Sequence, residues 1–365
     1  MNRQLPVLLF LMIFSMPIIA APQGGLLKTG IVIQKWNIES LSDPISEGTF
    51  PLELNYALRE NLSLQLNHSP AWSRFGDYNL SGLSDTWLRA SYRLGDKRTL
   101  ISAGIGIPTG QTKLGPSEMV MTSLLSQYAF KFQLPVFGQG LTLSAGAAYA
   151  YPVNDQFTLG LGLNYVYRGS YKLSTVQQFD YDPGDQVGIN LGFDYAASNK
   201  LRTYVDVLLN YYTADVMDST EIFSAGPKVS AKVGVYYPVS FGQVWLRACY
   251  RHRGKNESWN GQSLALESKN SNITQRELEG GTKIQLTDIL LLNVQGEIRS
   301  YVENELGHGW VDLFGGGLGY ELSLSKSFTL AMAFKIFFGD GEFDAANRSY
   351  SGTEFYITTQ WKFNN

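Results

Sequence analysis

The chain has 365 residues, of which 17% are charged and 13% are aromatic, and it contains 37 glycines. A soluble helical enzyme usually has more charge and fewer tyrosines and glycines, so this composition favours a large antiparallel β-protein. The formal net charge of -3 gives no reason to expect nucleic acid as a partner. Cys249 is the only cysteine, which excludes an internal disulfide and a multi-cysteine metal site.

The first residues have the pattern of a secretory signal peptide. Arg3 precedes the apolar run LPVLLFLMIFSMPIIA, and the small residues Ala20 and Ala21 follow it. We predict a signal peptide over residues 1–21 and a single exported domain over residues 22–365, with a transmembrane anchor as the alternative. No later stretch approaches about 18 continuous apolar residues, so membrane insertion of the mature chain requires β-strands.

Alternation of apolar and polar residues dominates the rest of the chain. In FTLGLGLNYVYR (157–168), apolar side chains on one face oppose Gly160, Gly162 and Asn164 on the other. Such period-two patterns indicate strands with one apolar and one polar face. They run near the roughly 9–11 residues that a tilted strand needs to cross a bilayer, and their apolar faces carry aromatic residues towards the ends.

The sequence therefore predicts an all-β fold, a transmembrane antiparallel up-and-down β-barrel of about sixteen strands, with fourteen as the alternative. The predicted strands lie near residues 26–37, 46–58, 62–69, 82–94, 99–107, 139–151, 156–168, 185–196, 201–213, 226–238, 243–254, 276–287, 289–302, 311–323, 327–339 and 351–363. Short turns alternate with long polar connections, which is typical of periplasmic turns and external loops in the outer membrane of a Gram-negative-type bacterium. The expected partners are outer-membrane lipid, lipopolysaccharide and the barrel-insertion machinery.

The longest predicted connection, the third external loop, runs from Pro108 to Gln139. Pro116 is well placed to begin a short helix. Apolar residues then recur at helical spacing, with Val120, Leu124 and Tyr128, and Met121 and Leu125 beside them, predicted as an apolar stripe. The loop either narrows the pore or packs against neighbouring loops, and both remain open. The candidate constriction residues are Met119, Val120, Leu124, Leu125 and Tyr128.

The inferred lumen face carries charges of both signs. They are Glu53, Arg89, Arg93, Asp194, Asp206, Lys232, Arg247, Arg251, Glu277, Glu279, Lys283, Glu297, Arg299 and Lys335. Such a mixture favours a mutually neutralising network over a specific substrate site. If a ligand site exists, two groups could hold a ring and a carboxylate or phenolate by stacking and ion pairing. They are Trp87, Arg89 and Arg93, and Trp245, Arg247 and Arg251.

The stretch SAGIGIPTG (102–110) superficially resembles a phosphate-binding loop. Gly104 and Gly106 alternate strictly with apolar residues, so they lie within a strand rather than at a strand-to-helix turn. We predict a glycine-lined wall on the lumen side, against which the third external loop can fold.

Several stretches resemble the outer-membrane family described as transporters of the meta-pathway of phenol degradation. They are GLSDTWLRASYRL (82–94), SAGIGIPTG (102–110), FGQG (137–140) and LGLGLNYVYRGSY (159–171), with Ser84 where the family pattern has glycine. The resemblance implies a β-barrel and uptake of small, often aromatic or hydrophobic compounds.

No catalytic residue, metal site or cofactor is predicted. The three histidines are His68, His252 and His308, and they lack the spacing of zinc ligands and any accompanying G-x-S-x-G elbow. The acidic stretches DYDPGD and GDGEFD lack the full calcium-loop pattern, so we expect solvated loops there. The predicted function is a passive or gated channel for small-molecule cargo. The alternatives are a surface barrel whose loops bind a partner or support envelope assembly and, less favoured, an outer-membrane hydrolase.

Overall fold

The computed structural model describes residues 24–134, 137–176, 179–198 and 201–363. The predicted signal peptide lies outside these residues, so it remains a sequence-based prediction. Within the described part of the chain, no helix has the length and apolar character needed to cross a membrane.

Among the described residues, the α-helix α1 spans Pro116–Leu125, as predicted for the third external loop. The strands are β1 Gly25–Ile38, β2 Ile45–Thr49, β3 Leu52–Arg59, β4 Leu62–His68, β5 Pro70–Phe75, β6 Tyr78–Leu83, β7 Thr86–Arg93, β8 Thr99–Ile107, β9 Thr142–Pro152, β10 Phe157–Arg168, β11 Tyr171–Lys172, β12 Asp180–Asp182, β13 Gln186–Ser198, β14 Leu201–Tyr212, β15 Ala214–Met217, β16 Thr220–Ser224, β17 Lys228–Val239, β18 Gly242–Arg253, β19 Glu257–Trp259, β20 Leu264–Leu266, β21 Thr274–Gln285, β22 Leu290–Val302, β23 Val311–Ser323, β24 Phe328–Phe343 and β25 Ala346–Phe363.

Nineteen of these strands form one antiparallel sheet that closes on itself. Closure joins β1 to β25, from Gly25 opposite Phe363 to Ile38 opposite Tyr350. Three crossings of the wall are each made of two successive strands, namely β2 with β3, β4 with β5 and β6 with β7. The result is a closed barrel of sixteen crossings, which confirms the predicted fold class and excludes the fourteen-strand alternative.

Strand alternation decides which side chains face lipid and which face the lumen. Leu161 and Leu163 are 56% and 58% exposed on the outer face of β10, as expected for side chains that contact lipid. Gly160 precedes Leu161, and Gly162 lies between the two leucines. Both glycines are on the opposite face of the sheet, as are their partners Gly192 and Asn190 of β13. The polar and glycine-rich face therefore lines the interior.

Two segments predicted as external loops are instead strands that extend the wall. Residues 70–75 and 78–83 form the hairpin β5–β6, and β24 and β25 continue past residue 339 to a turn at Asp344 and Ala345. Their proline, glycine and polar residues indicate loops, but these segments keep the alternation: Ala71 and Leu80 are buried, whereas Trp72 is exposed. The GDGEFD stretch therefore belongs mostly to a strand.

Three external connections form a separate six-stranded sheet that the sequence analysis did not predict. It consists of β11, β12, β15, β16, β19 and β20, and it takes up the first half of the DYDPGD stretch as β12. The Tyr181 hydroxyl donates a hydrogen bond to Asp215 at 2.6 Å, and the Tyr171 ring meets the Tyr181 ring edge-on. Burial raises the pKa of Tyr171 to about 12, so its hydroxyl stays protonated at physiological pH.

The main cluster of buried apolar residues lies inside the barrel, where the third external loop meets the wall. The helix α1 packs against β5 and β6 there. The largest buried apolar side chains are Trp36, Tyr301, Phe130, Phe337, Ile45, Leu80, Met121, Leu125 and Leu313. A membrane barrel has lipid on its outer face, so this internal contact provides the equivalent of a protein core.

Candidate functional site

The segment that follows α1 enters the barrel and contacts inward side chains of β1 and β2. The Gln34 side-chain amide donates to the Lys131 carbonyl at 3.1 Å, and its oxygen accepts the Gln133 N–H at 3.0 Å. The Leu134 N–H donates to Glu47 at 3.0 Å. Gln34 and Glu47 are each 2% exposed, so these bonds form away from bulk water, where an unpaired polar group is costly.

The same segment also contacts β22. The Tyr301 hydroxyl donates to the Tyr128 carbonyl at 2.8 Å, and the Arg299 guanidinium donates to the Ala129 carbonyl at 3.2 Å. Both wall side chains are almost completely buried. The loop is thus held between β1–β2 on one side and β22 on the other.

Lys131 adds ionic contacts to the wall. Its ammonium lies 2.8 Å from Glu277 and 3.0 Å from Glu297, and the Arg299 guanidinium lies 2.5 Å from Glu297. Two cations therefore face two neighbouring carboxylates. Glu277, Glu279 and Glu297 also lie close enough together to resemble a metal site. Since Lys131 occupies the space between two of them, we interpret the group as a loop anchor.

Aromatic packing reinforces these polar contacts. The Phe130 ring lies 5.3 Å from Trp36, 5.6 Å from Phe132 and 6.2 Å from Tyr350, measured between ring centroids. Trp36 also stacks on Phe337 at 5.3 Å. Each such pair contributes about 0.5–1.5 kcal/mol beyond the area that it buries. We call the inward residues Trp36, Glu47, Arg299, Phe337 and Tyr350 the docking wall.

Asp85 fixes both ends of the loop at the gap between β6 and β7. Its carboxylate accepts the Gly110 N–H at 3.0 Å and the Gln139 N–H at 2.8 Å, while its own N–H donates to the Phe137 carbonyl at 3.1 Å. A Cβ on Gly110 would lie 1.9 Å from that carbonyl oxygen, so only glycine fits. The motif stretches GLSD, PTG and FGQG therefore meet at one residue. Asp85 was not among the residues predicted from the sequence, although all three stretches were noted.

The helix buries one part of the predicted apolar stripe. Met121 and Leu125 are buried and Leu124 packs against the same core, whereas Met119 and Val120 are 39% and 41% exposed and Tyr128 is 57% exposed. Residues 120 and 124 and residues 121 and 125 both have i, i+4 spacing, and only the direction from which the wall approaches distinguishes the two pairs. The role of the five candidate constriction residues remains a prediction.

The docking of the loop on Gly104 and Gly106 remains a prediction, and the hydrogen bonds described above join the loop to β1, β2 and β22. Gly104 and Gly106 do face the lumen, opposite Arg89 and Trp87. A Cβ on Gly106 would lie 3.1 Å from the Trp87 ring, and one on Gly104 would meet Ser144, so their neighbours are other wall residues. Glycines offer the loop no side chains to pack against, and the bulky docking wall does. We call the inward residues Gly104, Gly146, Gly160, Gly162 and Gly192 the open wall.

Between the loop and β17, β18 and β21 lies a cavity of about 530 Å³, here called the upper cavity. Its loop side carries apolar and aromatic residues, and its wall side carries charge. The loop side includes Leu125, Tyr128 and Phe132, and the wall side includes Lys232, Arg247, Arg251, Glu277 and Glu279. Arg247 lies 3.6 Å from Glu279.

A second cavity of about 750 Å³, the lower cavity, lies towards the periplasmic ends of β10, β13, β14 and β17. It is lined by Gly160 and Gly192 of the open wall and by Asp206 and Tyr236. The two cavities adjoin because the Arg247 guanidinium, which lines the upper one, donates to the Tyr236 hydroxyl at 3.3 Å. Residues of β17 and β18 line both cavities.

The structure does not bring the two predicted ligand groups together. All six residues face inward, but Trp87, Arg89 and Arg93 lie on β7, and Trp245, Arg247 and Arg251 lie on β18, almost opposite in the barrel. Only the second group reaches the upper cavity, and there the Arg247 guanidinium lies 5.6 Å from the centre of the Trp245 ring. Trp87 instead lines a separate cavity of about 330 Å³ beside Asp85.

The three histidines contact neighbouring strands or loops. His68 and His252 hydrogen-bond to the hydroxyls of Thr86 and Thr274, at 3.0 and 2.9 Å, and His308 pairs with Glu342. In the described part of the chain, these contacts join no histidine to a serine or cysteine nucleophile. A hydrolase site therefore gains no support from this geometry.

No protein-family model matches this chain, and no curated protein matches it. OprB of Pseudomonas putida aligns with 94% of this chain and 94% of its own, at 9% identity and a TM-score of 0.52. This likeness shows the fold. The chain is an outer-membrane-type β-barrel. OmpT, an outer membrane protein of Vibrio cholerae, aligns with 95% of this chain and 100% of its own, at 14% identity and a TM-score of 0.46. CymD, described as a monoaromatic hydrocarbon channel, aligns with 94% of this chain and 90% of its own, at 11% identity and a TM-score of 0.46.

Proposed function

We propose that this barrel is an outer-membrane channel for small solutes, with the third external loop as its constriction. The observation that carries the proposal is the position of residues 126–134, which lie inside the barrel and leave the upper and lower cavities beside them. A loop buried between two walls reduces the cross-section of the lumen, and the remaining path runs along β17 and β18. Small solutes pass through such a space, whereas folded proteins do not.

The finer proposal concerns cargo and family. The motif stretches that resemble the phenol meta-pathway transporters meet at Asp85, where they attach the constriction loop to the wall. The residues that carry the resemblance therefore share one structural task, the attachment of the loop. This supports membership of that family and uptake of small aromatic or hydrophobic molecules. Export by the predicted signal peptide and folding by the barrel-insertion machinery belong to the same proposal.

Solute flux into proteoliposomes tests the channel function. Purified protein that shows heat-modifiable migration on a gel is reconstituted, and swelling is followed with neutral solutes of increasing size. The proposal expects swelling with small sugars and alcohols that falls steeply with solute size. Protein that is folded by the gel criterion and impermeable to every small solute would overturn the channel function.

A second candidate function rests on the six-stranded external sheet. Its hairpin β19–β20 presents Trp259 and Leu266 at 43% and 62% exposure, which suits contact with another macromolecule on the cell surface. Deleting residues 258–265 separates the two functions. If the protein acts as a channel, its solute flux is unchanged by this deletion. If the external sheet binds a partner on the cell surface, cells with the deletion behave like cells that lack the whole protein.

A further inference from the structure

Four basic side chains lie at the external end of one arc of the lumen. Arg168 ends β10, Lys228 begins β17, and Arg253 ends β18. Lys228 lies directly opposite Arg253, and Arg251 lies on the same inward face of β18, one step deeper. We call Arg168, Lys228, Arg251 and Arg253 the basic arc.

Neutral groups hold the basic arc in place. The Arg168 and Arg253 guanidinium carbons lie 5.8 and 5.3 Å from the centre of the Tyr212 ring, which ends β14 between them. Arg168 donates to the amide oxygen of Gln186 at 2.9 Å. Tyr212 and Gln186 face each other across β13 and β14, so one polar but uncharged surface orients both arginines.

The arc lacks counter-charges. Among the described residues, no carboxylate oxygen lies within 4.0 Å of the cationic nitrogens of the arc. The nearest acidic residue in sequence, Asp185, accepts the Arg168 backbone N–H and the Tyr165 hydroxyl instead. By contrast, Glu277, Glu279 and Glu297 each lie within that distance of a cation. Charges of both signs are present in the lumen, and these three carboxylates are paired with cations, whereas the four cations of the arc have no carboxylate within that distance among the described residues.

Unneutralised like charges on neighbouring strands repel one another, and a bound anion removes that repulsion. Guanidinium groups present paired N–H donors whose geometry matches a carboxylate. The arc continues into the upper cavity through Arg251, where Leu125 and Phe132 of the loop face Arg247 across the gap. A solute that moves along this path meets arginines on one side, beside the paired carboxylates Glu277 and Glu279, and apolar surface on the other.

We propose that the basic arc is the site at which this channel captures small organic anions, and that it favours carboxylates with an apolar or aromatic body. The carboxylate moves along the arc to Arg251 and from there to Arg247, while the body of the solute contacts the loop. This inference rests on the proposed channel function and specifies its substrate class.

Reversal potentials in planar bilayers under a gradient of potassium benzoate test the inference. The test variant carries Arg168→Gln, Lys228→Gln and Arg253→Gln, which preserve size and remove three charges. The matched control carries Lys97→Gln, Arg98→Gln and Lys326→Gln, which remove three charges from exposed periplasmic turns. The wild type and the control are expected to prefer benzoate over potassium. The test variant is expected to lose about tenfold of that preference, as the loss of charge-assisted contacts predicts.

A wild type that prefers potassium, or a test variant with the wild-type reversal potential, would overturn the inference while conductance upholds the channel. Folded protein without conductance would overturn the channel function and the inference with it. The same measurement is repeated with potassium chloride. If the variant loses as much preference for chloride over potassium as for benzoate over potassium, the carboxylate specificity is overturned. The single variants Lys228→Gln and Arg253→Gln should shift the potential in the same direction by smaller amounts, and they provide the test if the triple variant does not fold.

Discussion

The docking wall and the open wall lie on opposite sides of the same lumen and share the same strand geometry. Trp36, Phe337 and Tyr350 project from the docking wall and are covered by the loop. On the open wall, the nearest atoms to a Cβ built at Gly160 or Gly162 belong to neighbouring strands. Alternation alone therefore builds both walls, and the size of the inward side chains decides which of them receives the loop. The open wall stays available to solute because it offers nothing to pack against.

The largest effect is expected from removing the central aromatic contact of the docking wall. Phe130→Ala leaves a cavity next to Trp36, and such truncations of buried aromatic residues cost about 3–5 kcal/mol. The loop should then detach and single-channel conductance should rise. Val120→Ala, at an exposed position of the same loop that lines neither cavity, should leave the conductance close to that of the wild type. Equal conductance in all three proteins would contradict the assignment of the docking wall.

Next in size is the effect of releasing the ends of the loop at Asp85. Asp85→Ala leaves the Gly110 and Gln139 N–H groups without their acceptor, at a cost of about 1–3 kcal/mol for each that stays buried. Hydrogen exchange of these two amides should accelerate, while exchange in β10 stays unchanged. Asp77→Ala, in an exposed turn, is the control. Unaltered exchange at Gly110 would show that the carboxylate does not hold the loop.

A smaller effect is expected from filling the open wall. A Cβ at Gly160 has its nearest neighbour at 3.7 Å, so Gly160→Phe should fold with a change in stability of no more than about 1 kcal/mol. The added ring should narrow the lower cavity and reduce conductance without moving the loop. Leu161→Phe, on the lipid face, should leave conductance unchanged. If both variants conduct like the wild type, the open wall does not border the solute path.

The smallest effect concerns Asp96, in the periplasmic turn between β7 and β8 and distant from the loop. The backbone N–H groups of Arg98 and Thr99 donate to its carboxylate and hold its pKa below the usual range. A depressed pKa stabilises the fold above the unfolded-state value near 3.9, and this contribution is lost as pH falls through the folded-state value. Asp96→Asn should therefore lower thermal stability at neutral pH and converge with the wild type in strong acid, with Asp77→Asn as the control. A difference that persists in strong acid would contradict this origin.

The barrel itself could be predicted from the sequence because each strand carries its own evidence. Period-two alternation is local, so β10 and β18 are recognisable without knowledge of their neighbours. The hairpin β5–β6 was missed because Pro70 and Gly76 also indicate a loop. Its strand character depends on pairing with β2 and on contact with α1, and neither is visible in a local pattern.

The candidate site was less predictable because it depends on contacts between distant segments. Asp85 binds residues 25 and 54 positions away, and Lys131 reaches carboxylates more than 140 positions away. Composition showed that lumen charges were mixed, but it could not show which were paired. The structure pairs Glu277 and Glu297 with Lys131 and Arg299, whereas Arg168 and Arg253 lie over the ring of Tyr212.

The central claim is that the third external loop occupies the lumen and limits the pore. Replacing residues 117–130 with a glycine–serine linker of equal length removes α1 and Phe130 while preserving the chain connection, and single-channel conductance is the measurement. We expect a conductance well above that of the wild type, with deletion of residues 258–265 in the external sheet as a control that leaves it unchanged. A linker variant that folds and conducts like the wild type would contradict the account.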